Sequence, residues 1–300
     1  MIIGIGCVAS DDVLVTSTTW VAGKGRVLQR EVRLGGNVRT ALAAAASLGL
    51  KTAYLGTLGG DTRWSYVLDD FRARGVALDF VDFSDDVHPV LSTVIVTSDG
   101  ERYIAFDDDV LTRTPLPPET TVAAALAIAE LLIIDATTAP PGSLDVLTRA
   151  RATGIPIVLD AERHAPGSTL VTDLLALADH PVLPAAFAMD VTGSGEVRDA
   201  VEALWSRGYS SVVVTDGVHG VYARDAQTGG VVHVSAFPVV ARDTNGCGDT
   251  FHGAYAVALL EGATLLDRVR FASAAAAVVA QRQVGGSRVP TLGEVQAMMA

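Results

Sequence analysis

The sequence predicts an α/β fold in which helices cover both faces of a mostly parallel β-sheet, with a smaller β-sheet projecting from it. A continuous apolar run at residues 2–9 is typical of a strand that is buried on both faces. In the second half of the chain, apolar strand patterns alternate with helical patterns, which favours a parallel sheet. Two segments in the first half instead have the pattern of antiparallel hairpins, and we expect these to form the projecting sheet.

The first half alternates between elements of the main sheet and the two hairpins. Residues 12–34 alternate apolar and polar positions around Gly23 and Gly25, as in a hairpin. The turn Ser98-Asp99-Gly100 predicts the second hairpin. The other elements expected here are a helix at 38–49 that ends at Gly49, a helix at 62–74 that Gly75 terminates, and strands at 52–58, 90–97 and 102–106. We therefore expect a lid made of the two hairpins.

The second half begins after a proline-rich link at 115–118 and has a regular strand–helix pattern. We expect strands at 131–135, 156–160 and 211–215 and helices at 120–129, 142–152, 168–178 and 197–207. Because parallel strands place their carboxyl ends at one edge, a ligand site is expected at that edge.

Composition excludes several classes of protein. The chain has 300 residues with 49% hydrophobic residues, which suits one large domain or two modest ones. A net charge of -12 and the lack of a basic block argue against a nucleic-acid partner. We find no signal peptide and no membrane-spanning segment. Two cysteines, Cys7 and Cys247, are too few for a disulfide framework and favour the cytoplasm.

The stretch 243–253 carries the strongest functional signal. Gly246 and Gly248 precede a carboxylate, Asp249, and an apolar run at helical spacing follows. A glycine turn that enters a helix N-terminus forms an anion site. A carboxylate there repels phosphate, unless it takes a proton from a hydroxyl that attacks the phosphate. The alternative is that Asp249 simply caps the helix.

The full string at 243–249 resembles the Asp-Thr-x-Gly-Ala-Gly-Asp signature of the ribokinase (PfkB-type) carbohydrate kinase family, with Cys247 in place of alanine. The resemblance implies in-line transfer of the ATP γ-phosphate to a primary hydroxyl of a small sugar, with Mg²⁺ bridging the phosphates. It implies that Asp249 is the general base, and that backbone amides of Gly246, Cys247 and Gly248 stabilise the transferred phosphoryl group. Asp243 and Thr244 would belong to the nucleotide side.

The resemblance extends over essentially the whole chain. It implies a ribokinase-like three-layer α/β/α fold with a mostly parallel central sheet and a small projecting β-sheet lid. Residues 1–300 would form a single kinase domain, with the lid at about 12–34 and 88–107. A homodimer that pairs the exposed apolar edges of two lids is expected.

A second glycine element follows the apolar strand pattern at 212–214. Thr215-Asp216-Gly217-Val218-His219-Gly220 is either a plain β-turn or, by its resemblance to the family's Thr-x-Gly-x-x-Gly element, the binding loop for the ATP phosphates. The resemblance assigns Thr215, Gly217 and Gly220 to the nucleotide. Gly286, in Gly285-Gly286-Ser287, matches a loop near the adenine and, in many members, near a monovalent cation such as K⁺.

The sugar side is predicted from Gly35-Gly36-Asn37, which matches the start of the family's Gly-Gly-x-x-x-Asn element. Thr40 replaces the usual asparagine, so the identity of the sugar stays open. The family places an acidic residue after the first strand, where it accepts hydrogen bonds from sugar hydroxyls. That residue is Asp11 here, or Asp12 if the register is shifted by one.

Other charged residues have two interpretations. Arg39 and Arg26 either contact an acidic group on the substrate or pair with nearby carboxylates. Asp107, in Asp107-Asp108-Asp109, either lines the sugar pocket or belongs to a solvated loop, and the solvated loop is favoured.

The chain departs from the family pattern at 184–187, which reads Pro-Ala-Ala-Phe where many members carry Asn-x-x-Glu. The metal ligands are therefore unknown, and magnesium would be held by phosphates, water and other carboxylates. The runs at 249–254 and 269–273 indicate a ketohexokinase- or sulfofructose-kinase-like branch. No arginine lies at 135–140 to bind a sulfonate, so a sulfosugar is not predicted.

Three alternatives to a sugar kinase are considered. A nucleoside kinase would stack its base on lid aromatics, and the candidates are Trp20, Phe83, Tyr103 and Phe106. A kinase-fold binding protein without catalysis would explain the missing Asn-x-x-Glu. A Rossmann dehydrogenase is excluded because no Gly-x-Gly-x-x-Gly follows the first strand.

Overall fold

A computed structural model describes residues 1–17, 23–97, 102–107, 110, 113–164, 168–282 and 289–300. The strands are β1 (Ile2–Ile5), β2 (Ala9–Thr16), β3 (Val27–Gly35), β4 (Thr52–Gly59), β5 (Val76–Ser84), β6 (Val90–Thr97), β7 (Arg102–Asp107), β8 (Leu131–Asp135), β9 (Ile157–Asp160), β10 (His180–Pro184), β11 (Ser211–Thr215), β12 (Val221–Asp225) and β13 (Val232–Val234). The α-helices are α1 (Asn37–Ser47), α2 (Ser65–Ala73), α3 (Glu119–Ile128), α4 (Ser143–Thr153), α5 (Leu170–Leu175), α6 (Ala185–Thr192), α7 (Val197–Trp205), α8 (Cys247–Leu260), α9 (Leu265–Ala280) and α10 (Leu292–Met299).

The main sheet has the strand order β13-β12-β11-β10-β9-β8-β1-β4-β5. Strands β11 to β5 in this order are parallel, and β12 and β13 are antiparallel. Every residue of β1 and β8 is buried, as their apolar sequences predict. One face packs against α3 to α7, and the other packs against α1, α2 and α8 to α10. The predicted three-layer α/β/α architecture is confirmed.

The lid sheet is formed by β3, β2, β6 and β7 in that order. Both predicted hairpins are present, because β2 pairs with β3 and β6 pairs with β7 in antiparallel register. The two hairpins join through parallel pairing of β2 with β6, in which Asp11 lies opposite Ser92. The turn at Ser98-Asp99-Gly100 lies outside the described residues. Each lid hairpin therefore contributes a strand to the centre of the lid sheet.

The apolar run at 2–9 was predicted as one strand, and this is wrong. The run breaks at 6–8, so that β1 lies in the main sheet and β2 begins the lid. The sequence analysis also did not predict β5, β10, α6, β12, β13 or α10. The sequence of β10 does not resemble a strand because it contains Pro181 and Pro184. The sequence of β5 does not resemble one because aspartates occupy partly exposed positions in it. None of the helices that the structure describes has the length and apolar character needed to cross a membrane.

Candidate active site

The lid joins the main body at Gly35 and Gly36, directly before α1. Gly36 has a φ of 96°, and a Cβ atom on it would lie 2.5 Å from the carbonyl oxygen of Cys7. A Cβ atom on Gly35 would lie 2.5 Å from Oδ2 of Asp11. The paired glycines therefore allow the end of β3 to pass close to the start of β2, which brings Asp11 beside the first residue of α1, Asn37.

A cavity of about 290 Å³ lies between the lid sheet and the carboxyl edge of the main sheet. We call it the lid cavity. Lid residues on its wall include Asp11, Ser92 and Phe106, and residues from the body include Asn37 and Asp249. The Ser92 hydroxyl donates a hydrogen bond to Oδ1 of Asp11, which fixes the orientation of that carboxylate. The cavity thus offers fixed polar groups from both sheets.

A second cavity of about 530 Å³ lies beyond the end of β11, beside α8 and α9. We call it the apolar cavity. None of the described residues on its wall carries a charge. Its wall includes the glycine loop after β11, the side chain of Phe251 and the small residues Ala276 and Ala277. Such a cavity suits a flat apolar group near a glycine-rich loop.

The two cavities meet at the N-terminus of α8. Gly246 caps this helix in the left-handed conformation, with a φ of 79°. Gly246 and Asp249 line the lid cavity, whereas Cys247 and Gly248 line the apolar cavity. The first amides of a helix point out of its N-terminus, and they give this junction the character of an anion site.

Helices α1 and α8 are in direct backbone contact behind the junction. A Cβ atom on Gly253 would lie 2.2 Å from the carbonyl oxygen of Ala41. The alanine run of α1, which includes Ala41, Ala44 and Ala45, is buried against α8. This contact sets the separation between Asn37 on one helix and Asp249 on the other.

Three carboxyl groups lie close together at the base of the lid cavity: Asp135 and Asp160 are buried, and Asp249 is half-buried. Burial raises the pKa of Asp249 to about 7, and the nearby Asp160 carboxyl contributes to the increase. Burial also raises the pKa of Asp135 to about 6, although a 2.5 Å hydrogen bond from the Thr138 hydroxyl opposes this. Burial and the Asp135 carboxyl raise the pKa of Asp160 well above its usual range. A carboxyl group at the junction can therefore gain or lose a proton near neutral pH.

The Cys7 thiol also lines the lid cavity and is unreactive there. Burial, followed by the charge of Asp135, raises its pKa to about 12. A thiol with such a pKa stays protonated at neutral pH and is a poor nucleophile. Asp249 is therefore better suited than Cys7 to accept a proton at this site.

Most residues that the sequence assigned to the site are brought together. Asp11, Gly35, Gly36, Asn37, Gly246 and Asp249 line the lid cavity. Thr215, Gly217, Gly220, Thr244, Cys247 and Gly248 line the apolar cavity. The carboxylate of Asp12 faces away from the lid cavity and pairs with Arg30 at 2.8 Å. Asp11, rather than Asp12, is therefore the acidic residue of β2 that reaches the cavity.

Three other assigned residues do not line either cavity. The Arg39 guanidinium is buried on α1 and donates to Asp70 and to the Leu34 carbonyl at 2.8 and 3.2 Å, so it has a structural role. Asp107 is exposed on β7. Asp243 lies 3.4 Å from Arg33 and accepts a hydrogen bond from the Asn245 amide at 3.0 Å, which shapes the loop before α8. Gly286 lies outside the described residues, as do Asp108 and Asp109.

The sequence analysis missed several residues of the lid cavity. Glu162 and Arg163 follow β9, and the rule that ligands bind at the carboxyl ends of parallel strands could have found them. The Arg163 guanidinium lies 4.7 Å from the ring centroid of Phe106. Ser92 becomes a candidate only once the pairing of β2 with β6 is known.

The junction of β10 and α6 supplies no metal ligand. Its sequence, Pro184 to Phe187, has no carboxylate or amide side chain. Among the residues that the structure describes, no group of three or more histidine, cysteine, aspartate or glutamate side chains is arranged to hold a metal ion. The described side chains therefore do not form a dedicated metal site.

The sequence profile of the pfkB family carbohydrate kinases matches residues 12–292. The chain belongs to this family. It is 25% identical over 299 residues to the ribokinase of Haemophilus influenzae, covering 97% of this chain and 95% of that protein. It is 25% identical over 282 residues to the 5-dehydro-2-deoxygluconokinase of Shouchella clausii, covering 89% and 86% of the two chains.

The fold is also that of a solved kinase. The structure of Arabidopsis thaliana ribokinase complexed with ribose and ATP superposes with a TM-score of 0.84 at 23% identity, covering 99% of this chain and 98% of that one. The predicted family, the ribokinase-like fold and the class of enzyme, a carbohydrate kinase, are confirmed. The narrower ketohexokinase- or sulfofructose-kinase-like branch stays a prediction.

Proposed function

We propose that this kinase transfers the γ-phosphate of ATP to a primary hydroxyl of a small sugar in the lid cavity, with Asp249 as the general base. The position of Asp249 is the observation that carries this proposal. Its carboxyl group lies at the N-terminus of α8, where the lid cavity and the apolar cavity meet. A phosphoryl group that passes from one cavity to the other must cross this point.

The pKa of Asp249 suits the role of a base. At a pKa of about 7, a substantial fraction of the carboxyl group is ionised at neutral pH and able to accept a proton. The proton passes from the attacking hydroxyl to Asp249 as the new oxygen–phosphorus bond forms and ADP leaves. The backbone amides of Gly246, Cys247 and Gly248 stabilise the charge on the transferred group.

On the sugar side, Asp11 is proposed to accept hydrogen bonds from substrate hydroxyls, with Asn37 as a second polar contact. Both line the lid cavity, and Ser92 orients the Asp11 carboxylate. Gly35 and Gly36 allow the backbone to approach the sugar closely. A carboxylate can accept from two hydroxyls at once, which suits a polyhydroxylated ligand.

On the nucleotide side, the apolar cavity is proposed to hold ATP. Thr215, Gly217, Gly220 and Thr244 on its wall are the proposed contacts. The described side chains form no dedicated metal site, so magnesium is proposed to enter as the MgATP complex, since magnesium commonly keeps phosphate and water ligands. A bound K⁺ stays a prediction.

A nucleoside is less well supported as the substrate. Phe106 is the one aromatic side chain among the described residues that line the lid cavity. The Arg163 guanidinium lies over its ring, 4.7 Å from the ring centroid. A nucleobase would have to displace this arginine in order to stack on the ring. Phe83 and Tyr103 are exposed and do not line the cavity, and Trp20 lies outside the described residues.

Assembly and location are also proposals. The exposed lid side chains Leu28, Val32 and Tyr103 support a homodimer that pairs two lids. Cys7 and Cys247 are not joined in a disulfide, which supports a reducing, cytoplasmic location. Direct contacts between lid and body at Gly35 and Gly36 support a single kinase domain over residues 1–300.

The test is ADP release by the wild-type enzyme and by Asp249→Asn, with MgATP and a panel of ketoses, aldoses, sugar acids and nucleosides. We expect one sugar to give turnover and Asp249→Asn to lower kcat by about 10³-fold, since general bases contribute on the order of 10²–10⁴. ATP affinity should not change. Asp267→Asn is the matched control, because Asp267 lies in the first turn of α9, away from both cavities.

Three outcomes would contradict the proposal. Near wild-type turnover by Asp249→Asn would show that Asp249 is not the general base. Turnover with a nucleoside alone would identify a nucleoside kinase. ATP binding without turnover on the whole panel would favour the binding protein without catalysis.

A further inference from the structure

His252 lies one turn after Asp249 on α8, and its ring is buried with 5% of the residue exposed. Nδ1 of the ring lies 2.8 Å from the carbonyl oxygen of Gly248. Nε2 lies 2.8 Å from the carbonyl oxygen of Val182, in β10. A backbone carbonyl accepts hydrogen bonds and cannot donate them, so both ring nitrogens face acceptors.

This geometry determines the protonation state of the ring. A neutral imidazole has one N–H group, so in either tautomer the other nitrogen would direct its lone pair at a carbonyl oxygen 2.8 Å away. A buried contact between two acceptors is unfavourable, and it leaves both groups without a hydrogen bond. A ring with both protons donates to both carbonyls.

We propose that His252 is held as the imidazolium form and that its buried positive charge keeps Asp249 ionised at neutral pH. His252 is thus a positioning residue for the phosphoryl transfer, and this part of the inference rests on the proposed role of Asp249 as the base. The Asp160 carboxyl lies beside the ring, with its Oδ1 3.4 Å from Nε2 of His252.

The charged groups around Asp249 come from several elements. Carboxyl groups face it from β8 (Asp135), β9 (Asp160) and the segment after β9 (Glu162). The space beneath Asp249 is lined by described residues of α1, α8, β8 and β9, and none of them is a lysine or an arginine. His252 is the cationic candidate among them.

Neighbouring polar groups do not replace the charge of His252. Asn37 donates to Asp160 at 3.3 Å and is neutral. The Cys7 thiol, after β1, stays protonated because burial raises its pKa to about 12. Without the imidazolium, the carboxyl groups of Asp135, Asp160 and Asp249 would therefore face one another with no cation among the described residues that line the space beneath Asp249. The two described arginines near Asp249, Arg33 and Arg163, line the lid cavity instead.

The direction of the effect follows from these contacts. Burial and the three other carboxyl groups raise the pKa of Asp249, and the charge of His252 lowers it. Loss of that charge should therefore make Asp249 harder to ionise. In a variant without this charge, the fall of kcat/KM on the acid side of the pH profile would begin at a higher pH. At high pH, where Asp249 is ionised, kcat/KM would return to the wild-type value.

A second buried histidine, His180 in β10, gives an internal reference. Its Nδ1 lies 2.8 Å from the hydroxyl of Ser211, which can donate or accept. Burial lowers the pKa of His180 to about 4, so this ring is neutral at neutral pH. The two buried rings are therefore expected to differ in charge, although one lies on β10 and the other contacts the same strand.

Two measurements test the inference. Nitrogen-15 NMR of histidine-labelled wild-type protein at neutral pH should show both ring nitrogens of His252 protonated and one nitrogen of His180 unprotonated. The pH dependence of kcat/KM should then be compared for wild type, His252→Asn and His180→Asn. We expect His252→Asn to move the acid limb up by about one pH unit, the lower end of the effect of a close opposite charge, and His180→Asn to leave it in place.

Each failure has a distinct meaning. A neutral His252 ring in the wild-type spectrum would overturn the inference, and it requires no variant to fold. An unchanged acid limb in a folded His252→Asn would overturn the link to Asp249. Wild-type turnover by Asp249→Asn would instead overturn the proposed function, whereas the NMR result would still decide the charge of His252.

Discussion

The lid cavity and the apolar cavity touch at one helix terminus, but their walls differ in chemistry. Charged side chains line the lid cavity, and among them are Asp11, Glu162, Arg163 and Asp249. The described wall of the apolar cavity has no charged side chain. Recognition in the first depends on side chains with fixed direction, whereas the second offers shape, apolar surface and backbone amides.

The difference separates the two kinds of selectivity that this kinase needs. Hydroxyl groups of a sugar differ in direction, and directional acceptors distinguish them. A nucleobase and a phosphate chain are instead matched by a flat apolar space and a helix N-terminus. With the sugar in the lid cavity and ATP in the apolar cavity, as proposed, changes of charge or pH should affect sugar binding and changes of shape should affect ATP binding.

The largest expected difference is in pH dependence. The pKa of Asp249 is raised to about 7, so its ionised fraction, and with it kcat/KM, should fall about tenfold for each pH unit below that value. ATP affinity should not show the same pH dependence. Among the described residues on the wall of the apolar cavity, the Cys247 thiol is the one side chain that can titrate. Initial rates and calorimetric ATP titrations over the same pH series check this, and a shared limb would contradict it.

Asp11→Asn should raise the KM for the sugar about tenfold, because a hydrogen bond to a charged group contributes about 1.5–3 kcal/mol and a neutral amide contributes less. The KM for ATP should stay unchanged. Asp12→Asn is the matched control, since its carboxylate pairs with Arg30 on the other side of β2. An equal effect of both substitutions would show that loss of lid stability, rather than sugar contact, is measured.

Ala276→Leu tests the other side of the comparison. The larger side chain fills part of the apolar cavity, and overpacking of this kind costs about 1–3 kcal/mol, so the KM for ATP should rise about fivefold or more. The KM for the sugar should stay unchanged. Arg270→Leu, at an exposed position of the same helix, is the control. A rise in the sugar KM alone would break the division between the cavities.

Arg163→Ala has the smallest expected effect. The guanidinium over Phe106 links the main body to the lid, and an exposed cation–π contact contributes about 0.5–1 kcal/mol, so the sugar KM should rise about threefold. Arg63→Ala removes a similar contact with Trp64, at 5.8 Å, away from the lid cavity. Equal steady-state constants for Arg163→Ala and wild type would show that this contact does not support the sugar site.

Local sequence predicted those parts of the site that depend on backbone shape. The glycine turns at Gly36, Gly220 and Gly246 have left-handed φ values or leave no room for a Cβ atom, and such constraints are visible in a short string. Asp11 was found from the family resemblance, by its place just after the first apolar run. These features depend on neighbours in the chain, so a single sequence is sufficient to predict them.

Features that depend on distant partners could not be predicted. Arg39 lies beside the glycine pair in sequence, but Asp70 of α2 draws its guanidinium into the body. His252 looks like an ordinary helix residue until Val182, 70 residues earlier, is placed against its ring. The strand β10, with prolines at 181 and 184, is stabilised by pairing with β9 and β11 rather than by its own propensity.

The close contact between Gly253 and Ala41 has a consequence for how substrate range can change. It joins the helix that carries Asn37 to the helix that carries Asp249 as one rigid block, with no side chain between the two backbones at that point. The lid strands, on which the proposed sugar contact Asp11 lies, are not built into this block. We therefore expect exchange of lid residues to change the range of sugars while the separation between Asn37 and the proposed base, Asp249, is inherited without change.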